Sequence, residues 1–286
     1  MKNKQLCSND TSLKKYHTYG LSATCRHLIL ASTEEEIKEA LIFSKNRQLP
    51  YVILGRGSNV LFKDDYYDGV VIINKMNEVE ISGTCVVADG GVNLPLLARK
   101  TSKMGLSGLE ALVGIPGTIG GSICMNAGVS HVQISTYLTE LVVMYPDGEI
   151  KTLAKDECNF SYRSSAFIDN GGCILKASFN LVKKEDVLKD LHQYLLKRLN
   201  SQPISEKNSG CIFKNPSSSN PAGALIDRCG LKGKTVGGAT VSSMHANFIN
   251  NTNNATFKDV IELIHEIQFI VKEKTGVDLE YEVRII

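Results

Sequence analysis

The sequence predicts an α+β chain of two domains. Short apolar runs alternate with capped amphipathic stretches over the first half, and a hairpin plus a further strand give the middle an antiparallel character. A polar segment at residues 200–210 then marks a composition shift ahead of a long amphipathic helix, and the domain boundary is placed around it.

Taken in order, Ser32 followed by Glu35 has the spacing of a capping box, and Ile37, Ala40 and Leu41 supply one apolar face, so a helix runs from there to about Gln48. The apolar run 51–54 ends in a glycine loop, and 70–73 and 85–88 read as further strands. Residues 93–104 form a second helix, closed by Gly105 as a C-cap, that leads into a second glycine loop. Beyond it, 141–145, the turn Pro146-Asp147-Gly148 and 149–153 read as a hairpin, and 174–181 as a strand. A helix over about 186–199 carries Leu188, Leu191 and Leu195. In 256–274, Phe257, Val260, Ile261, Ile264, Ile267 and Val271 fall at i, i+3, i+4, i+7 spacing before Gly276. Residues 277–286 alternate: Val277, Leu279, Tyr281, Val283 and Ile285 take one face, and Asp278, Glu280, Glu282 and Arg284 the other. A terminal strand of this pattern points Glu282 to solvent or into a polar cleft.

Composition narrows the function classes. The chain has 286 residues, 43% of them hydrophobic, enough for two modest cores. A net charge of +2 from 32 basic and 30 acidic side chains gives no field to hold a polyanion, which argues against nucleic acid or a membrane surface as partner. Residues 1–20 lack the apolar stretch of a signal peptide, and no run approaches the roughly 20 apolar residues a bilayer span needs, so a cytoplasmic protein is expected. Eight scattered cysteines, with no C-x-x-C pair and no histidine at finger spacing, indicate neither a metal site nor a disulfide framework.

The chemistry-bearing features are the loops ILGRGSNVLF (53–62) and LEALVGIPGTIGGSICMNAG (109–128). Their glycines remove side chains where a ligand approaches the backbone, and unpaired N–H groups in such turns cradle a pyrophosphate without any lysine. A lone pair of this kind also serves simply to let strands pack closely; two loops, each beside an apolar run, favour a cofactor. Neither common nucleotide fingerprint applies. The third Rossmann glycine would stand at Val60, and the first P-loop glycine ahead of Gly233-Lys234-Thr235 would stand at Arg228. No G-x-S-x-G elbow is present.

These two loops, together with FSYRSSAF, SGCIFKNP, AGALIDRCGLKG, SSMHANFIN and LEYEVRII in this order, resemble the UDP-N-acetylenolpyruvoylglucosamine reductase (MurB) family of peptidoglycan precursor synthesis. The resemblance runs from about residue 16 to 286 and is to the shorter type of that family. It implies an N-terminal segment (1–20), an FAD-binding domain of the vanillyl-alcohol-oxidase (PCMH) type with two subdomains (21–185), and a C-terminal α+β substrate domain (186–286). It further implies FAD as cofactor, NADPH as co-substrate, a small nucleotide-sugar substrate, and a monomer.

By the same resemblance the flavin is held by Leu54, Gly55, Arg56, Gly57, Ser58 and Asn59 of the first loop, and by Gly114, Ile115, Pro116, Gly117, Thr118, Gly121, Ser122, Asn126, Ala127 and Gly128 of the second. Arg163 matches the arginine that stabilises developing charge, a task suited to a permanently charged guanidinium. Glu282 matches a glutamate that assists polarisation or proton transfer. Cys211 stands where the family has its proton-donating serine; a thiol gives up a proton more readily than an alcohol, provided it is not already thiolate. Tyr281 replaces the usual proline before the glutamate. Tyr162, Lys214, Asn215 and His245 match substrate-side positions, although a histidine in HANFI is more often structural. A flavin oxidase of the same fold, or a nucleotide-sugar-binding protein that has lost catalysis, are the alternatives at this stage.

Overall fold

Short-range chemistry sets the helix ends. The computed structural model describes residues 7–63, 65–129, 132–168 and 171–286. Helix α1 (Glu34–Asn46) starts one residue later than the Ser32/Glu35 spacing predicts: Thr33 Oγ1 accepts from the Glu36 N–H at 3.1 Å, and the Glu36 carboxylate takes the Ser32 N–H at 2.7 Å. Thr33 and Glu36 repeat the same spacing one position on, and this register leaves Glu35 in water while burying Ile37, Ala40 and Leu41. Helix α2 (Leu94–Lys103) is capped by Asn93, whose side chain accepts from the Leu96 N–H, and is followed by Gly105 at φ 70°. Helix α3 (Ile119–Cys124) is a short turn capped by Thr118, and α4 (Val187–Leu199) buries Val187 and Leu191 while Leu188 is left exposed. Helix α5 spans Ala222–Arg228, and α6 (Phe257–Thr275) runs from a Thr256–Asp259 capping box to Gly276 in the left-handed conformation.

The chain divides into two units, each built from separated stretches. The first comprises Met1–Thr11, Cys25–Arg56 and Asp68–Arg198, and the second Ser12–Thr24, Gly57–Tyr67 and Leu199–Ile286.

In the first unit a four-stranded sheet has the order Cys7–Ser12, Thr24–Ala31, Tyr66–Asn74, Tyr51–Leu54, the last two parallel. Against it lies α1, closing a core of Ile29, Ile37, Leu41, Val70 and Ile72. A second sheet is antiparallel, in the order Ile150–Ala154, Leu138–Met144, Cys173–Asn180, Cys85–Asp89, Val79–Ser82. Its hairpin closes at Gly148, φ 85°, as Pro146-Asp147-Gly148 predicts. Its apolar face joins α2 and α3 through Val86, Leu97, Ile119, Leu141 and Phe179.

In the second unit, α5 and α6 share a core with the antiparallel strands Thr235–Val236, Ala239–Val241 and Ile249–Asn251; Leu225, Val241, Ile249, Leu263 and Ile264 are its centre. Most of the predicted ten-residue terminal strand is irregular chain, with Leu279 and Val283 buried. Its ladder pairing is confined to Arg284–Ile285, parallel to Val60–Leu61, with an isolated bridge from Tyr281 to Phe213. Alternating polarity reports which face is buried and carries no information on whether a partner strand lies alongside. Among the described residues no helix is long and apolar enough to cross a membrane, and no group of His, Cys, Asp or Glu is arranged to hold a metal.

Asp259 caps α6 through Thr256 and also receives the Gly238 N–H at 3.3 Å. Thr256→Ala is expected to lower the stability of this unit by about 1 kcal/mol in urea denaturation, with the denaturant slope unchanged.

Candidate active site

In the first unit the two glycine loops meet. A Cβ on Gly55 would stand 2.1 Å from Thr118 Oγ1, so only glycine lets the end of the strand Tyr51–Leu54 lie against the cap of α3. The second loop is anchored from below by a segment the sequence reading passed over, Gly90 to Asn93. Gly120 N–H donates to Gly90 O, Ile119 N–H donates to Val92 O (both 2.8 Å), and Asn93 bridges Thr118. Gly90 is itself pressed on the sheet, its would-be Cβ 2.0 Å from Ile174 O. The Gly-Gly pair directly after a strand was the available signal.

The first N–H groups of α3 are therefore consumed within the protein, since Gly121 donates to its own cap Thr118. By contrast, the backbone N–H groups of Gly55, Arg56 and Gly117 make no hydrogen bond among the described residues. Further along, Asn126 is 1% exposed in the left-handed region, φ 42°; its Nδ2 donates to Gln133 Oε1 and Ser161 O, while its Oδ1 is buried without a partner. Free loop amides suit an anionic diphosphate, and an orphaned buried acceptor suits a ligand N–H. These residues fit a flavin dinucleotide. Of the other predicted contacts, Ser122 and Thr118 are buried and Pro116 and Gly121 exposed, while Ala127 N–H closes back on Ser122 O at 2.8 Å.

Arg163 is brought to the same loop. It sits in a tight turn in which Ser161 and Ser164 exchange backbone hydrogen bonds, and it adopts φ 53°, unusual for a bulky residue. Its Nη2 donates to Gly128 O at 3.0 Å, and its guanidinium lies 5.2 Å from the ring centre of exposed Tyr162. Asn126 holds Ser161 O, and Ser165 Oγ donates to Cys124 O, so the turn is tied to the loop at three points.

The second unit brings together Cys211, Lys214 and Glu282. Residues 211–214 run between two neighbours. On one side Asn247, 2% exposed, pairs its side chain with both the N–H (3.0 Å) and the C=O (2.8 Å) of Phe213, and its backbone O takes the Ile212 N–H. On the other, Glu282 N–H donates to Ile212 O and Lys214 N–H to Glu280 O, both at 2.8 Å. Glu282 is thus bonded to the neighbour of Cys211, and Cys211 and Glu282 are each half-buried. Lys214 pairs with exposed Glu280 at 3.6 Å, and Tyr281 stacks on Phe213. Asn215 accepts the Ala222 N–H at the start of α5. His245 accepts the Asn247 N–H and stacks edge-on to Phe248. Asn59, assigned to the flavin from sequence, donates its side-chain amide to Glu282 O at 3.0 Å. Asn247 was missed: its bidentate clamp has no sequence signature.

A mixed α+β chain whose glycine turns present free loop amides fits the flavin-dinucleotide class of oxidoreductase. A model described as FAD binding domain matches residues 25–154, and one described as UDP-N-acetylenolpyruvoylglucosamine reductase, C-terminal domain, matches 202–286. The chain is 38% identical over 275 residues to the UDP-N-acetylenolpyruvoylglucosamine reductase of Chlamydia muridarum, covering 96% of this chain and 92% of that one. It is 39% identical over 280 residues to UDP-N-acetylenolpyruvoylglucosamine reductase 2 of Bacillus cereus, covering 97% and 92%. The crystal structure of the reductase (MurB) from Thermus caldophilus superposes with a TM-score of 0.83 at 35% identity, over 96% of this chain and 97% of that one. The chain belongs to the UDP-N-acetylenolpyruvoylglucosamine reductase family. FAD is its cofactor and its fold is of the PCMH type.

Gly55→Ala is expected to weaken FAD binding about tenfold, the equivalent of about 1.4 kcal/mol, read by flavin fluorescence titration. A pH effect follows from His17, which lies under Gly57 with its Nδ1 unpaired. Burial holds its imidazole below the ordinary value of 6.5, against a smaller upward pull from Leu21 O. The folded-state pKa is depressed, so the neutral ring's contribution is present above the unfolded value and is lost as pH falls through the folded one. Thermal midpoints should therefore fall as pH is lowered from about 7 to below the ordinary value of 6.5, and His17→Leu should flatten that fall.

Proposed function

We propose that this chain is the NADPH-dependent reductase that converts UDP-N-acetylenolpyruvoylglucosamine to UDP-N-acetylmuramate in the cytoplasm, as a monomer. The observation that carries the reading is the bond from Glu282 N–H to Ile212 O, which ties Glu282 to the residue next to Cys211, with Lys214 bonded to Glu280 on the same segment. Bound FAD supplies hydride, taken from NADPH, to the enolpyruvyl double bond. What remains for the protein is the charge that develops beside the substrate carboxylate and the proton that quenches it.

Arg163 meets the charge. Its guanidinium is anchored to Gly128 O through Nη2, and a permanently charged, planar fork of this kind matches the geometry of a carboxylate. Cys211 supplies the proton from its thiol, and the thiolate recovers one from solvent, so that one hydride and one proton are added per turnover. Glu282 assists by polarisation or by relaying that proton, and Lys214 is placed for the substrate's diphosphate once it leaves Glu280, an exposed ion pair of small strength. Tyr162, Asn215 and His245 complete the substrate side of the reading. For Asn215 and His245, their roles at the start of α5 and beside Asn247 support a contribution through shape more than direct contact.

The purified protein should be yellow, bleach on anaerobic addition of NADPH, and recolour when the enolpyruvyl nucleotide sugar is added. Cys211→Ala should keep the bleaching step within about twofold and lose at least about a hundredfold in recolouring, in line with removal of a general acid. Normal turnover by Cys211→Ala would refute the assigned proton donor.

A further inference from the structure

Glu282 is held through its own peptide at both ends. Its N–H donates to Ile212 O at 2.8 Å, and its C=O accepts from Asn59 Nδ2 at 3.0 Å. The backbone of Asn59 then takes the next rung, Arg284 N–H to Asn59 O at 3.0 Å, and the ladder continues through Val60–Leu61 and Arg284–Ile285. Asn59 therefore grips residues 282 and 284 with a side-chain donor and a backbone acceptor. Ile212, the neighbour of Cys211, receives the Glu282 N–H, so where Asn59 sets the Glu282 carbonyl is also where the carboxylate stands relative to the thiol strand. An amide is required for this. Aspartate has no N–H to offer a carbonyl, and two facing acceptors repel.

We propose that Asn59 is a positioning residue for Glu282, spending its side-chain amide on the glutamate's carbonyl instead of on the flavin. The inference rests on the reading that Glu282 serves the reaction, and it makes the last residues of the first glycine loop part of the proton-delivery apparatus.

The test separates the two half-reactions in anaerobic stopped flow, with FAD content measured on the same samples. For Asn59→Asp the expected result is full flavin content and bleaching by NADPH within about twofold of the parent. Recolouring by the enolpyruvyl nucleotide sugar should slow at least about tenfold, and the pH profile of that step should shift while the profile of bleaching does not. Asn59→Ala, which removes the donor without adding charge, is carried alongside and should show the same split if Asn59→Asp fails to fold. Recolouring at the parental rate overturns the proposal, as does a loss of flavin large enough to account for the slower rate, which would make Asn59 a cofactor ligand. A parent protein that bleaches but is never recoloured by the nucleotide sugar refutes the functional reading itself, an outcome distinct from parental turnover matched by the variants.

Discussion

Parallel pairing of Val60–Leu61 with Arg284–Ile285 brings the strand that leaves the first glycine loop against the strand that carries Glu282, and the second unit takes its register from that contact. Arg284 N–H to Asn59 O, Ile286 N–H to Leu61 O and Lys63 N–H to Ile286 O extend it on both sides. Slipping this ladder by one residue would turn Val283 out of the core and Glu282 into it, an unpaired carboxylate in apolar surroundings. The segment around residues 211–214 inherits its placement from that constraint: Ile212 O accepts the Glu282 N–H, Asn247 clamps Phe213, and Cys211 stands at the end of the clamped segment.

The first unit solves a different problem, how to hold backbone where side chains would intrude. Gly55 against Thr118 and Gly90 against Ile174 O are approaches that any Cβ would block. Arg163 is the converse, a bulky residue kept at φ 53° where glycine is the usual occupant. Such a conformation costs on the order of 1 kcal/mol or more and persists only when its surroundings over-determine it. Here Asn126, Ser165 and the bond from Arg163 to Gly128 O do so. Under the proposed role of Arg163, strain at a charged residue tied to the second glycine loop would serve pre-organisation of its guanidinium.

Much of this was legible from residue order, and the physical reason is range. The capped helices were readable because their signals are local: Asn93 and Gly105 bracket α2, and Thr256, Asp259 and Gly276 bracket α6. Even the misplacement at α1 was local, one capping spacing overlapping another at Ser32 and Thr33. Family membership was readable from seven collinear motifs. What stayed hidden depends on partners far away in the chain. The two-residue extent of the terminal ladder, the Asn247 clamp on Phe213 and the bond from Asn59 to Glu282 each involve residues separated by 34 or more positions. No window of neighbouring residues contains such information. Gly90 and Gly91 are visible as a glycine pair, but the pair does not tell which distant backbone, here Ile174 O, presses on it.

The second unit's three-part construction, from Ser12–Thr24, Gly57–Tyr67 and Leu199–Ile286, bears on how quickly it can be assembled. Its central ladder closes a span of more than 220 residues, as the separation of Asn59 and Glu282 measures. Ring-closure entropy grows only logarithmically, about 0.6 kcal/mol per doubling of length, so the equilibrium penalty is modest; the kinetic one is larger, because distant pairings are late events in a search dominated by nearby ones. Helices α5 and α6 can form early from local signals, whereas residues 59–61 and 282–285 come into register last, making the closing of that ladder a sensitive clock for the final step of maturation.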